Sequence, residues 1–394
     1  MAVGTGIEGY KCDANDVLSI KLVHSEEDVI GKEGVFHPMM SHQVFGESET
    51  IFGYKGLNIQ LYYHAGSLLT YLNMEYHEQI PRSYGIKPDP VIPKIVEQIP
   101  QGFISNRDEF ISKLQKEDSF TPMGNKIHSY FNDDTEYEIY EADIFTPRLK
   151  EYHEKLQTFI LWYIDAASFI DIDDEKWHFF LLFEKKKSIA PIYNIVGYMT
   201  VYHYYSYPDK FRPRISQTLI LPPFQRKGHC VELLHAVNKH YISNPDAVDI
   251  TVEDPSEDFV RCRDFVDCQN CLKLNSFSKD KLLTDYSDDM RKDALEKFKI
   301  TKSQARRVYE ILRLRVTDIS NNVMYHQYRL CVKKRLNLPF QKQARDMEKL
   351  RAVLSSDEYN SAMVGQSNEE RIQRLDEAYK LLEAEYFKVI DRLD

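Results

Sequence analysis

The most regular stretch of the chain runs from residue 215 to residue 252. Residues 215–221 form a β-branched, leucine-rich run of strand length, and Pro222 and Pro223 stop it because neither donates to a ladder. Cys230, Leu233, Leu234, Val237 and Tyr241 then recur at helical spacing along one face. Residues 248–252 read as a second short strand, ended by Glu253, Asp254 and Pro255. A strand, a helix and a strand in this order make two parallel neighbours.

Upstream, residues 17–23 alternate as a strand, and residues 57–63 and 68–76 alternate on either side of Ala65 and Gly66 as a hairpin. Residues 1–15, with scattered Gly and Asp, read as unstructured. Residues 136–143 predict an acidic strand. An apolar stripe through Leu149, Tyr152, Leu156, Phe159, Tyr163, Ala166 and Ile170 predicts one helix over 148–170, with Asp165 off the stripe. Strands follow at 177–183 and 195–205.

After Pro255 the pattern turns helical. Thr301 and Gln304 predict a capping box, as do Ser367 and Glu370. The last helix carries an a/d seam from Ile372 to Leu393, able to pack on its own chain or on a partner. These shifts in texture divide the chain into an α/β region at 1–118, a central region at 119–270 and a helical region at 271–394.

Composition narrows the class. The formal net charge of −10 disfavours nucleic acid and favours a basic partner. No secretory leader is expected, and the longest apolar window, 159–170, is too short to span a bilayer. Six cysteines without a leader point to free thiols. Cys268 and Cys271 make a single C-x-x-C, half of what a structural zinc site wants, so no metal is expected. Lys333, Lys334 and Arg335, with Lys342 and Arg345, read either as a solvated helix face or as a nuclear import signal.

The chemical clue is the loop Gln225-Arg226-Lys227-Gly228-His229-Cys230, between first strand and helix. Unpaired amides at a helix start, a glycine and two cations bind phosphate. An ordinary strand–helix turn reads the same. Neither GxxxxGK[ST] nor GxGxxG is present.

This loop resembles the pyrophosphate loop of the GNAT acetyltransferase superfamily, with Cys230 where Gly or Ala is usual. The stretches RPRISQTLILPPFQRKGH, DITVEDPSEDFVRCRDF, SFIDIDDEKWHFFLLFEK, VGYMTVYHYYSYPDK and KFKITKSQARRVYEILRLRVTD resemble the type B histone acetyltransferase catalytic subunits, in order across roughly residues 30–390.

The resemblance implies an α+β fold: a GNAT core whose parallel strands splay apart, an α/β amino-terminal domain and a helical carboxy-terminal region. It implies acetyl-CoA as co-substrate, with Thr218, Leu219 and Ile220 along the pantetheine and Gln225, Arg226, Lys227, Gly228, His229, Cys230 and Val231 around the pyrophosphate. Glu253 falls at the general base, with Asp254 beside it, and Asp165 at a second carboxylate, one methylene shorter than the family's Glu. Glu47, Ser48, Glu49, Trp177, Tyr202, His203 and Tyr204 fall at positions that touch the substrate tail, Ser48 replacing an acidic residue.

The implied substrate is the amino-terminal tail of newly made, soluble histone four. A WD-repeat histone chaperone is the implied partner, and the nucleus and cytoplasm are the implied compartments.

The residues alone support part of this. A lysine with an ordinary pKa near 10.4 must lose a proton before it attacks a thioester, so carboxylates near the nitrogen are expected. Four acids among residues 171–175, followed by Trp177, suit a cationic peptide. Two other readings stay open: an acetyltransferase acting on a small amine or a protein α-amine, and a non-catalytic histone-binding scaffold.

Overall fold

The structure, a computed structural model, describes residues 7–117, 119–166, 168–188, 191–350 and 368–394. It divides into two compact units, residues 1–205 with 213–240, and residues 206–212 with 241–394.

In the first unit, β1 (Leu18–Val23), β2 (Val35–Phe36), β3 (Asn58–His64) and β4 (Thr70–Glu75) form a sheet in the order β2-β1-β3-β4. β3 and β4 are the expected hairpin, with Tyr62 opposite Tyr71, and β1 joins β3 in parallel. Of the segment expected to be unstructured, the described residues 7–15 are ordered. Lys11–Asp13 pairs with Thr50–Phe52, and the Asp13 side chain caps the next turn at the Asn15 amide. Ala14, wholly buried, anchors it, an apolar contact that scattered Gly and Asp do not announce.

The larger sheet carries the site. β5 (Asn125–Asn132), β6 (Thr135–Asp143), β7 (Trp177–Lys186), β8 (Ile192–Ser206) and β9 (Lys210–Ile220) lie side by side in chain order. The first four pair antiparallel. Phe179 to Phe183 on β7 are all buried, the continuous apolar run of a strand covered on both faces. On β9 burial alternates: Pro213, Ile215, Gln217 and Leu219 point inward. A Cβ at Gly197 on β8 would stand 2.4 Å from the Leu219 carbonyl oxygen, so close pairing of the two strands requires glycine there.

The helices of this unit used below are α1 (His42–Phe45), α2 (Val91–Val96), α3 (Arg107–Glu117), α4 (Leu149–Leu156), α5 (Ile160–Tyr163) and α6 (His229–Ile242). The helix expected over 148–170 is shorter and broken. α4 passes through a 3-10 turn into α5, which ends at Ile164 in an extended conformation, and Ala166 takes a positive φ of 53°. The stripe has helical spacing up to Tyr163; the left-handed residue beyond it makes continuation impossible.

The second unit is helical, with β10 (Thr251–Val252), α7 (Glu257–Cys271), α8 (Asp288–Phe298), α9 (Lys302–Val316), α10 (Asn322–Leu336) and α11 (Asn368–Leu393). The expected five-residue strand at 248–252 shrinks to β10. Isolated parallel bridges beside it join Phe211 to Ala247 and Ile250 to Ile300. Thr301 caps α9 at the Gln304 amide. Ser367, the expected cap of the last helix, lies outside the described residues. α11 packs on α7, α9 and α10. Of its seam, Tyr379, Tyr386 and Val389 are buried while Ile372 is 61% exposed, so the seam's carboxy-terminal half is used within the chain.

The architecture is α+β, with the larger sheet, a strand–loop–helix unit and a helical carboxy-terminal region.

Candidate functional site

The loop between β9 and α6 has the makings of an anion cradle. Pro222–Phe224 forms a 3-10 turn, and Arg226 and Gly228 then take φ of 59° and 87°. A Cβ on Gly228 would meet nothing within 4 Å, so glycine is needed there for its backbone, not for space. The amides of Arg226, Gly228 and His229 donate to no acceptor among the described residues. They sit at the amino terminus of a 14-residue helix, beside exposed Arg226 and Lys227. Unpaired donors, a positive helix end and two cations fit a diphosphate.

Two predicted loop residues use their side chains to brace it. The Gln225 side-chain amide donates to the Ile220 carbonyl at 2.8 Å. His229 is buried, its Nδ1 2.7 Å from the Tyr130 hydroxyl and its ring against Tyr137, and desolvation pushes it down to about 4. It is therefore neutral at pH 7, and only its amide serves an anion. Val231 is buried and Cys230 partly so, on a helix whose Leu233, Leu234, Val237 and Tyr241 fill the core as the spacing predicts.

On β9, Leu221 donates to Val196 of β8. By alternation, Thr218 and Ile220 turn their main-chain groups to the opposite edge, where an extended ligand arm would pair. The buried Thr218 hydroxyl has no partner among the described residues. An unsatisfied buried oxygen beside a strand edge fits a polar arm such as pantetheine. Leu219 packs into the core.

The predicted carboxylates fall in two places. Glu253 and Asp254 follow β10 and are exposed, Asp254 with a positive φ of 29°. Asp165 lies in the turn after α5, its side chain 75% exposed. Glu49 is gathered with it, through a residue that the sequence did not single out. His42 Nε2 is 3.2 Å from Asp165 Oδ1, and its Nδ1 is 3.6 Å from Glu49 Oε1. Glu49 is itself fixed, accepting from the amides of Ser41 and His42 and from Asn15, and the Ser41 amide above all holds its carboxyl below the usual range. Glu47 and Ser48 remain exposed at the tip of this turn. Only proximity in the fold reveals His42; four residues of short helix carry no periodic signal.

The aromatic residues divide by strand alternation. Trp177 sits opposite Tyr202, their rings 4.9 Å apart, and Tyr204 continues the row at 4.7 Å. The Tyr202 hydroxyl donates to Asp174, whose carboxyl is held low chiefly by the Lys176 amide. His203 points to the other face, stacked 3.9 Å from His178 and pushed down to about 3 by burial, so it does not join this row. In the acidic run, Asp173 pairs with Lys150 at 2.6 Å.

Other candidate features resolve into structure. Lys333 pairs with Asp376, and Arg335 with the fully buried Glu310, so two residues of the basic cluster are committed within the helical unit. Cys268 and Cys271 are buried thiols whose ionisation desolvation opposes. Among the described residues no group of three or more His, Cys, Asp or Glu is arranged to hold a metal, and no helix is long and apolar enough to cross a membrane.

Comparison with known proteins gives this geometry a lineage. Residues 10–165 match the family described as Histone acetyl transferase HAT1 N-terminus, and residues 263–314 match Histone acetyltransferase type B catalytic subunit, C-terminal. The chain is 45% identical over 400 residues to the histone acetyltransferase type B catalytic subunit of Homo sapiens, covering 100% of this chain and 96% of that protein. The Mus musculus protein of the same name matches equally, and that of Cryptococcus neoformans is 32% identical over 84% of this chain and 89% of its own. Identity sustained from end to end means that the chain belongs to the family of histone acetyltransferase type B catalytic subunits.

Proposed function

We propose that this protein transfers the acetyl group of acetyl-CoA directly to lysine side chains in the amino-terminal tail of newly made, soluble histone four. The observation that carries the reading is the amide-lined turn at Arg226, Gly228 and His229, opening α6 at the end of β9, in a chain of this family. That turn and the strand edge at Thr218 and Ile220 would hold the diphosphate and the arm; the co-substrate supplies an activated acyl group. Edge amides also polarise the thioester carbonyl, an oxyanion-type effect.

Glu253 acts as the general base, with Asp254 beside it, and Asp165 holds the substrate cation. Trp177, Tyr202 and Tyr204 form an aromatic row suited to the aliphatic stem and charge of a lysine. The net charge of −10 suits a basic tail. A WD-repeat histone chaperone as partner, and a working place in nucleus and cytoplasm, complete the reading; both rest on the resemblance to the family.

The test uses labelled acetyl-CoA with a histone four tail peptide, a lysine-less version of it and a small polyamine. Label on the first alone supports the reading. Preferential labelling of the polyamine or the lysine-less peptide overturns the substrate, and no transfer at all leaves only a histone-binding scaffold. In the same assay Glu253→Gln lowers kcat on the order of 10²–10⁴-fold with the affinity for acetyl-CoA kept. Wild-type turnover in that variant removes Glu253 from the role of base.

A further inference from the structure

Acetylation of a lysine takes two protons from its nitrogen, one from the ammonium before attack and one after the C–N bond has formed. The first transfer is the steeper. An ammonium near pKa 10.4 gives its proton to a carboxylate near 4 only rarely, and to an imidazole near 6.5 on the order of a hundredfold more readily. We propose that His42 accepts the ammonium proton, with Glu49 orienting its ring and Asp165 holding the cation in front of it. This rests on the function proposed above, because it takes Asp165 as a carboxylate that meets the substrate lysine.

Three observations support it. His42 opens α1, and its ring lies between two carboxylates, Glu49 Oε1 at 3.6 Å from Nδ1 and Asp165 Oδ1 at 3.2 Å from Nε2. The inner carboxylate is fixed: Glu49 accepts from the Ser41 and His42 amides and from Asn15, in a turn closed by bonds from Gly46 to His42 and from Glu49 to Gly46. The outer carboxylate is open, with Asp165 75% exposed against 26% for the imidazole. An anchored acid, an oriented imidazole and an accessible outer group follow the logic of a catalytic triad.

A further observation is the tether to the β9 strand. Buried Gln217 on β9 donates from Nε2 to the Ser168 carbonyl at 2.9 Å, so the chain just after Asp165 is pinned one residue before Thr218. On the other side, the Met39 and Met40 amides both reach the Trp162 carbonyl, fixing the approach to His42 against the end of α5.

The step balances within these residues. With the imidazole proton on Nδ1, the side of Glu49 at 3.6 Å, Nε2 and Asp165 Oδ1 offer two acceptors 3.2 Å apart, which one ammonium can bridge. One N–H bond of the ammonium breaks, an Nε2–H bond forms, and the freed lone pair is left on the amine. The imidazolium so formed lies between two carboxylates. After attack the second proton goes to Glu253 and from it to the departing thiolate, and His42 returns its own to solvent. The charged groups facing His42 are Glu49 and Asp165. α2, packed on α1, adds Lys94, whose Nζ lies over the Phe45 ring.

The experiment is the pH profile of kcat on the histone four tail peptide, with the full chain. For wild type an acid limb is expected, because an imidazole that already carries its proton cannot accept the substrate's. Glu253→Gln keeps that limb at lower kcat. His42→Gln loses it and falls on the order of 10²-fold at pH 7 while titrating acetyl-CoA as wild type does. His42→Ala regains rate on addition of free imidazole. Asp165→Asn, an exposed change that leaves α1 intact, raises KM for the peptide and blunts the limb, and serves should the His42 variants not fold. A limb unchanged in His42→Gln or in Asp165→Asn, or a loss equal at every pH that imidazole does not relieve, overturns the proposal. Wild-type protein that labels no tail lysine instead overturns the function on which it rests.

Discussion

At the scale of single residues, the loop before α6 offers little side-chain chemistry to the diphosphate we propose it holds. Gln225 turns back to Ile220 and His229 is buried and neutral, so the loop's grip depends on amides, on Arg226 and Lys227, and on the conformation that Gly228 permits. Gly228→Glu strains a backbone held at a φ of 87° and sets a negative charge where phosphates would lie. We expect the Kd for acetyl-CoA to rise on the order of 10–100-fold, the worth of a few kcal/mol. Isothermal titration checks it, and an unchanged Kd removes the loop from the cofactor site. Cys230→Ala, by contrast, changes a half-buried side chain one residue into α6 and leaves every loop amide in place, so its Kd stays near wild type.

At the scale of elements, what the sequence made legible follows from period and length. The hairpin of β3 and β4, the strands β6 to β9 and the helices α6 and α9 all carry five or more residues of one periodicity, and each stands where the pattern put it. The misses have local causes. An extended Ile164 and a left-handed Ala166 end a helix whose stripe runs on for another turn, and a β-branched run at 248–252 keeps only the two residues of β10 as strand. His42 was invisible because a residue's partners across more than a hundred positions leave no trace in spacing. His203, placed among the substrate positions by the resemblance alone, is stacked on His178 because strand alternation sends it to the face opposite Tyr202 and Tyr204.

One element-scale device in the helical unit was likewise unread. Glu310 on α9, fully buried, accepts two bonds from Arg335 on α10, one from Arg306 and one from the Tyr386 hydroxyl on α11. Three helices thus share one carboxylate. Glu310→Gln leaves two guanidinium groups without their counter-charge, and we expect about 3–5 kcal/mol of destabilisation, the usual cost of breaking a buried ion pair from one side. Chemical denaturation followed by far-ultraviolet ellipticity measures it; a loss under about 1 kcal/mol would mean that the clasp is replaceable by its remaining hydrogen bonds.

At the scale of the whole molecule, the two units respond to acid in opposite ways. In the first, burial pushes His153 and His203 down to about 3 and His64 and His229 to about 4. A histidine whose folded pKa lies below its unfolded value near 6.5 keeps its full contribution above that value. The contribution is lost as pH falls from 6.5 towards the folded pKa, because the unfolded chain then binds more protons. His153 is the extreme case: it is wholly buried beside Phe179 and Tyr198, and neither ring nitrogen has a partner among the described residues. Its share alone reaches roughly 4–5 kcal/mol near pH 3.

In the second unit, desolvation raises the buried carboxyl of Asp267 to about 6, so protonation between pH 6 and 4 relieves strain there. Acid above pH 4 therefore loosens the first unit before the second. The two tryptophans, Trp162 and Trp177, both belong to the first unit, while most of the long helices belong to the second. Tryptophan fluorescence should consequently change at a higher pH than the ellipticity at 222 nm. His153→Leu, which removes a titrating group and two unsatisfied nitrogens, should move the fluorescence transition to lower pH and leave the ellipticity transition where it was. Transitions that coincide in wild type, or a fluorescence midpoint indifferent to His153→Leu, would show that buried imidazoles do not govern the acid limit of this protein.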